Sequence, residues 1–215
     1  GCKNLSKHYL CRPLNFTLKT NKFLRMNEIR MVDLKGQYEK IRPEIDKAIH
    51  EVIESTAFIN GPAVKDFQAD MEKYLDVNHV IPCANGTDSL QVAMMALDLK
   101  PGDEVITTSF TFIATAEVIA LLGLTPVLVD VDEDTFNIDP EAIRKAITPK
   151  TKAIVPVHLF GQCADMEQIL NIAKEHNLYV NEDTCQAIGA DYTFSDGTVK
   201  KAGTMGHMAG MSFFP

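Results

Sequence analysis

The chain has 215 residues, 46% of them apolar and 23% charged, with a formal net charge of −8. That composition belongs to a globular protein with ample material for a core, and its acidity argues against nucleic acid or a membrane surface as partner. No apolar run approaches the roughly 20 residues that span a bilayer, and Cys2, Cys11, Cys83, Cys163 and Cys185 lack metal-ligand spacing, as expected of reduced thiols in a cytosolic protein.

Residues 1–25 carry six Lys or Arg and no acid, with neither helical nor strand period. They hold no apolar h-region and so no secretory signal; a transit peptide is one reading. The reading preferred is a disordered leader or a stretch that is not native, with the fold running as one unit over 26–215. Ile41, Ile45, Ile49, Val52 and Ile53 step by three or four, which predicts an amphipathic helix over 37–55. "FINGP" (58–62) breaks it, and Val64, Phe67, Met71 and Leu75 mark a second helix.

Short β runs then alternate with helices. Strands are predicted at "HVIPC" (79–83), "EVITT" (104–108), "PVLVDV" (126–131), "AIVPVHL" (153–159) and "LYVNED" (178–183). Helices are predicted from about Thr87, over Ala114–Leu122, over Pro140–Ile147 with Pro at its start, and over Met166–His176. Near-continuous apolar strands separated by helices imply an α/β fold with a mostly parallel sheet covered on both faces. Ligands of such sheets sit beyond the carboxyl ends of the strands, so the residues there are the ones to inspect.

After the first predicted strand, "CANGTDSL" (83–90) offers a tight Asn85-Gly86 turn with positive φ and a helix opening at Thr87-Asp88. Free N–H groups, the helix dipole and the Thr87 hydroxyl make an anion cradle, or else simple N-capping by Thr or Asp. The stretch is no Walker loop, and no G-x-G-x-x-G occurs anywhere. In "NEDTCQA" (181–187), Asp183 falls at the rim of the sheet, where a buried carboxylate needs a cation or donors; capping of the next segment is the alternative. Gln186 reaches the same space if the chain turns there. Phe110 and Phe112 follow another strand end and could stack on a flat ring or pack in the core. His158 has the ordinary reading of a hydrogen-bonded structural histidine, and Ser212 is a hydroxyl near the chain end. A phosphate cradle, a rim carboxylate able to pair with a ring nitrogen and an aromatic platform together suit pyridoxal 5′-phosphate.

At these residues the chain resembles the DegT/StrS group of nucleotide-sugar aminotransferases, within the fold-type I pyridoxal-phosphate enzymes. The resemblance covers about 31–215 and rests on "DLKGQY", "FINGP", "CANGTDSL", "KPGDEVITTSFTFIATAEVIALLG", "PVLVDVDEDTFNID", "AITPKTKAIVPVHLFGQCADM", "EDTCQAIGA" and "SFFP". "CANGTDSLQ" with "SFFP" is most similar to members that aminate 3-oxo sugars such as UDP-2-acetamido-3-oxo-glucuronate. The fold implied is the large, cofactor-binding domain of a fold-type I aminotransferase, ending before the small C-terminal domain. The roles implied are Gly86, Thr87 and Ser212 on the cofactor phosphate, Phe112 stacked on the pyridine, Gln186 against its O3′ side and Asp183 on the ring nitrogen. The pattern continues past "SFFP" with a small residue and then the lysine that binds the cofactor and shuttles the proton. That lysine falls two residues beyond Pro215, so the chain is expected to be inactive alone; Lys200 and Lys201 match nothing in the motif. His207 and Met208 stand where relatives carry small or apolar residues, and His207 could line the site or be structural. The resemblance further implies an amino-acid donor, glutamate by family habit, a keto sugar nucleotide acceptor, a cytoplasmic location and a homodimer. A non-catalytic cofactor-binding module and a 3-dehydratase of the same family are the other readings.

Overall fold

The computed structural model describes residues 32–213; the expected leader, 1–25, lies outside them. The chain divides into two compact units, 1–45 and 46–215, and the division falls within helix α1, Leu34–Ser55. Of the first unit the description covers chiefly the opening turns of that helix, where Ile41 and Ile45 stand partly exposed. The predicted 3.6-residue period is there, but no residue of α1 is buried.

In the second unit, Gly61 in extended conformation and Pro62 at the first helical position open α2, Pro62–Leu75, as a prolyl ring with fixed φ favours. It closes on Asp76 in the left-handed region. Residues 79–83 correct the sequence reading. They have no ladder partner among the described residues, and Ile81 is 77% exposed. An apolar run becomes a strand only when another strand satisfies its N–H and C=O groups; here Val80 N–H donates instead to Glu72 Oε1 at 3.1 Å.

The remaining elements keep the predicted rhythm: α3 Gly86–Ala96, β1 Glu104–Thr108, α4 Ala114–Leu121, β2 Thr125–Val129, α5 Pro140–Ala146, β3 Thr151–Val155, α6 Met166–His176 and β4 Tyr179–Asp183. β5 Asp191–Thr193 and β6 Val199–Lys201 form the polar hairpin, and β7 Met208–Gly210 completes the set. Five strands make one sheet in the order β2-β1-β3-β4-β7, all pairs parallel. β3 ends at Val155, one residue short of "VH" (157–158), because Pro156 has no N–H for the ladder. The run resumes as a single bridge between Val157 and Asp183.

Period-two alternation sends each strand's side chains to two cores. Val105, Ala153 and Val155 meet Leu90 and Met94 of α3 and Val118 and Ile119 of α4. Ile106, Ile154 and Val180 meet Ile143 of α5 and Met166, Ile169 and Ile172 of α6. The sheet is therefore covered on both faces, which is why its strands read as unbroken apolar runs.

Candidate functional site

β1 and β4 deliver their last residues to the same rim of the sheet, and the segment after β7 joins them. Asp183, the final residue of β4, has its backbone locked by Asp183 N–H donating to Pro156 O at 2.8 Å and His158 N–H donating to Asp183 O at 3.0 Å. Its carboxylate is only 5% exposed. Thr115 Oγ1, in the first turn of α4, donates to Asp183 Oδ2 at 2.8 Å, and Cys185 N–H donates to Oδ1 at 3.2 Å. No ion pair to Asp183 exists among the described residues. A carboxylate has about four acceptor positions, so two donors leave capacity for a further, cationic one.

Cys185 links this carboxylate to the start of α3. Its thiol lies 2.8 Å from where a Cβ on Gly86 would stand, and Ser212 Cβ is at the same 2.8 Å. Gly86 is thus required for close approach and not, as the sequence suggested, for positive φ; it is absent from the positive-φ residues. Capping also differs from expectation. Asn85 is the N-cap, its Oδ1 accepting from Asp88 N–H at 2.9 Å, while Ser89 N–H bonds Asn85 O. The N–H groups of Gly86 and Thr87 take no protein acceptor among the described residues. They belong to the first turn of α3, at the positive end of its dipole. Ser89 Oγ, 3.4 Å from Met211 O, ties the same helix to the segment bearing Ser212.

Burial first, then the neighbouring Asp183 carboxylate, pushes the Cys185 thiol up. That favours the protonated thiol, the less nucleophilic form.

The other expected residues divide. Phe112 is 68% exposed, three positions ahead of the Thr115 that holds Asp183, and its ring is available to a ligand. Phe110 instead tilts against Phe136, with ring centres 5.8 Å apart. Gln186 is exposed, with Oε1 accepting from Phe160 N–H at 2.9 Å. His158 is fully buried and structural, bonding Glu182 Oε2 at 2.9 Å. His207 does not line this corner: Nδ1 accepts from Val180 N–H at 3.0 Å, near the start of β4, and the ring borders a groove with His176, Lys152 and Tyr179. Lys201 pairs with Asp191 at 3.3 Å on the hairpin. Sequence reasoning missed Thr115 and Cys185. Thr115 is one hydroxyl in an apolar helix, and only tertiary structure tells it from an ordinary surface threonine.

The sequence profile described as the DegT/DnrJ/EryC1/StrS aminotransferase family matches residues 39–215. The chain is 51% identical over 187 residues to a protein of Geobacillus stearothermophilus named pleiotropic regulatory protein, covering 87% of this chain and 49% of that one. It is 45% identical, again over 187 residues, to the UDP-2-acetamido-2-deoxy-3-oxo-D-glucuronate aminotransferase of Pseudomonas aeruginosa, covering 87% and 51%. Among solved structures, NtdA from Bacillus subtilis with bound cofactor PMP shares 41% identity at a TM-score of 0.68, over 70% of this chain and 34% of that one. The chain spans about half the length of the two relatives.

Proposed function

The chain belongs to the DegT/DnrJ/EryC1/StrS aminotransferase family, and we propose that it supplies the coenzyme-gripping part of a pyridoxal-phosphate enzyme that transfers an amino group to a keto sugar nucleotide. The carrying observation is the convergence of the α3 start, Ser212 and the Asp183 carboxylate, bridged by Cys185. The corner suits this coenzyme in both its charges. A Cβ on Gly86 would push Ser212 and Cys185 away from the start of α3, two helix N–H groups there take no protein acceptor among the described residues, and the buried carboxylate has acceptor capacity left for a pyridinium N–H.

In this reading Gly86 and Thr87 donate their N–H groups to the phosphate and Ser212 its hydroxyl. Asp183 accepts from the ring nitrogen and keeps the proton on it, while Thr115 and the Cys185 N–H hold the carboxylate in line. Phe112 shields the ring from water, and Gln186 lies against the O3′ side. Bound there, the coenzyme supplies an electron sink for breaking the bond between hydrogen and the carbon that carries the amino group. Lys201, engaged by Asp191, and its neighbour Lys200 are not the base for that proton. The acceptor is a nucleotide-linked 3-oxo sugar, by likeness to the Pseudomonas aeruginosa relative, the donor is glutamate, and the assembly is a cytoplasmic homodimer.

The test is titration of the full-length protein with pyridoxamine 5′-phosphate, followed by absorbance and by stability against heat. Binding that weakens at least tenfold in Asp183→Asn supports the reading; loss of one charge-assisted bond, about 1.5–3 kcal/mol, corresponds to that change or more. A wild-type protein that neither binds the compound nor is stabilised by it overturns the reading.

A further inference from the structure

Glu182 and Asp183 are consecutive acids on one strand, so period-two geometry sends them to opposite faces. Asp183 faces the coenzyme corner. Glu182 faces the other way and is wholly buried, a costly place for a carboxylate unless donors surround it. They do: Gly203 N–H donates to Oε2 at 2.8 Å, Met205 N–H to Oε1 at 2.7 Å and Gly206 N–H to Oε1 at 2.5 Å. The fourth donor is His158 Nε2 at 2.9 Å from Oε2. Its identity follows from the network, because His158 Nδ1 accepts from Ala164 N–H at 3.0 Å, leaving the ring proton on Nε2.

This carboxylate gathers a turn that belongs to the coenzyme corner by continuity. Residues 203–206 lead directly into His207, whose N–H donates to Val180 O at 2.8 Å and whose Nδ1 takes the Val180 N–H. The chain then runs as β7 in register with β4, Met208 opposite Asn181 and Gly210 opposite Asp183. Thr184 fixes the exit through its N–H and hydroxyl, both bonded to Gly210 O at 2.9 and 2.7 Å. Two residues later Ser212 meets Gly86. Glu182 therefore sets the start of a short, pinned track whose end is the candidate phosphate cradle.

We propose that Glu182, oriented by His158, is a positioning residue for phosphate binding, fixing the 203–206 turn and hence the register in which β7 presents Ser212 to the start of α3. The proposal rests on the pyridoxal-phosphate reading for the identity of the ligand. Glutamine cannot replace the carboxylate. Its amide could accept from Met205 and Gly206, but its NH2 would then face two donors, Gly203 N–H and His158 Nε2–H. Flipping the imidazole proton to Nδ1 only moves the conflict to Ala164 N–H.

The experiment compares pyridoxamine 5′-phosphate with pyridoxamine on the full-length protein, the ratio of the two dissociation constants giving the share due to phosphate. In Glu182→Gln this ratio falls about tenfold, whereas Asp183→Asn weakens both compounds and leaves the ratio near the wild-type value. Should Glu182→Gln fail to fold, Gly206→Ala displaces the same turn with the carboxylate kept, since its Cβ would stand 2.8 Å from Val180 O and 3.3 Å from Glu182 Oε1; the same fall in ratio is expected. Lower thermal stability with an unchanged ratio would make Glu182 merely structural and overturn the proposal while leaving the coenzyme reading intact. A wild-type protein that binds neither compound overturns the coenzyme reading itself, and this proposal with it.

Discussion

Replacing Gly86 with alanine tests the cradle at its tightest point. The added Cβ would stand 2.8 Å from both Cys185 Sγ and Ser212 Cβ, about 0.6 Å inside an ordinary contact of 3.4 Å. Both neighbours are short side chains tied to backbone, so the strain falls on the segment bearing Ser212 and on the start of α3. Overpacking of this kind costs about 1–3 kcal/mol, and the better helix propensity of alanine returns at most about 1 kcal/mol. Net destabilisation of about 0–2 kcal/mol is expected, so the variant folds. On the proposed assignment, binding suffers more. Moving Ser212 or the Gly86 N–H by about 0.6 Å would remove one charge-assisted hydrogen bond to a phosphate, about 1.5–3 kcal/mol, or about 10- to 100-fold in affinity. Urea unfolding gives the first quantity and absorbance titration with pyridoxamine 5′-phosphate the second. A folded Gly86→Ala protein whose affinity stays within about twofold of wild type would refute the assignment of this corner to phosphate.

Other substitutions probe the supports of the site. Thr115→Val removes the hydroxyl donor from the buried Asp183 carboxylate and should cost about 1.5–3 kcal/mol in urea unfolding, with Thr115→Ser restoring most of it; an unchanged midpoint would show that the bond carries nothing. Asn181 is fully buried, and neither Oδ1 nor Nδ2 finds a partner among the described residues, so Asn181→Val should stabilise the fold by about 1–2 kcal/mol, and a lower midpoint would contradict the orphaned amide. Among the described cysteines, the exposed Cys83 should alkylate first at pH 8 and Cys185 last. Burial foremost, then Glu182 and Asp191, pushes the Cys163 thiol up to about 11, so its rate should rise about tenfold per pH unit until that point. Mass-spectrometric mapping that found Cys185 modified ahead of Cys83 would reverse the burial order on which this rests.

Periodicity carried the architecture well where side chains alone decide. The helix over Met166–His176 and the strand over 104–108 have the predicted bounds, because the helix buries one apolar face and the strand is buried on both. It failed at 79–83, where pairing depends on a partner strand that no local pattern can announce. At the candidate site, residue types were legible and reasons were not. Gly86 was noticed as a turn glycine, yet what demands it is the proximity of Ser212 and Cys185, far away in sequence. Glu182 drew no attention beside Asp183, though a signal existed: two adjacent acids ending an apolar strand face opposite ways, and each must find donors of its own. Thr115 carried no signal at all, since its importance lies wholly in facing Asp183 across the fold.

The bond between Ser89 and Met211 closes a span of 122 positions, and every neighbour in the large sheet is parallel. No early hairpin can therefore nucleate the corner, and each crossover must be completed before the next strand finds its place. The corner therefore exists only in the fully assembled chain, and a ligand that bound there would report on completed folding. On the proposed coenzyme assignment, an occupant of the corner would by mass action favour that finished state over every earlier one, and stability against heat would rise with the concentration of pyridoxamine 5′-phosphate.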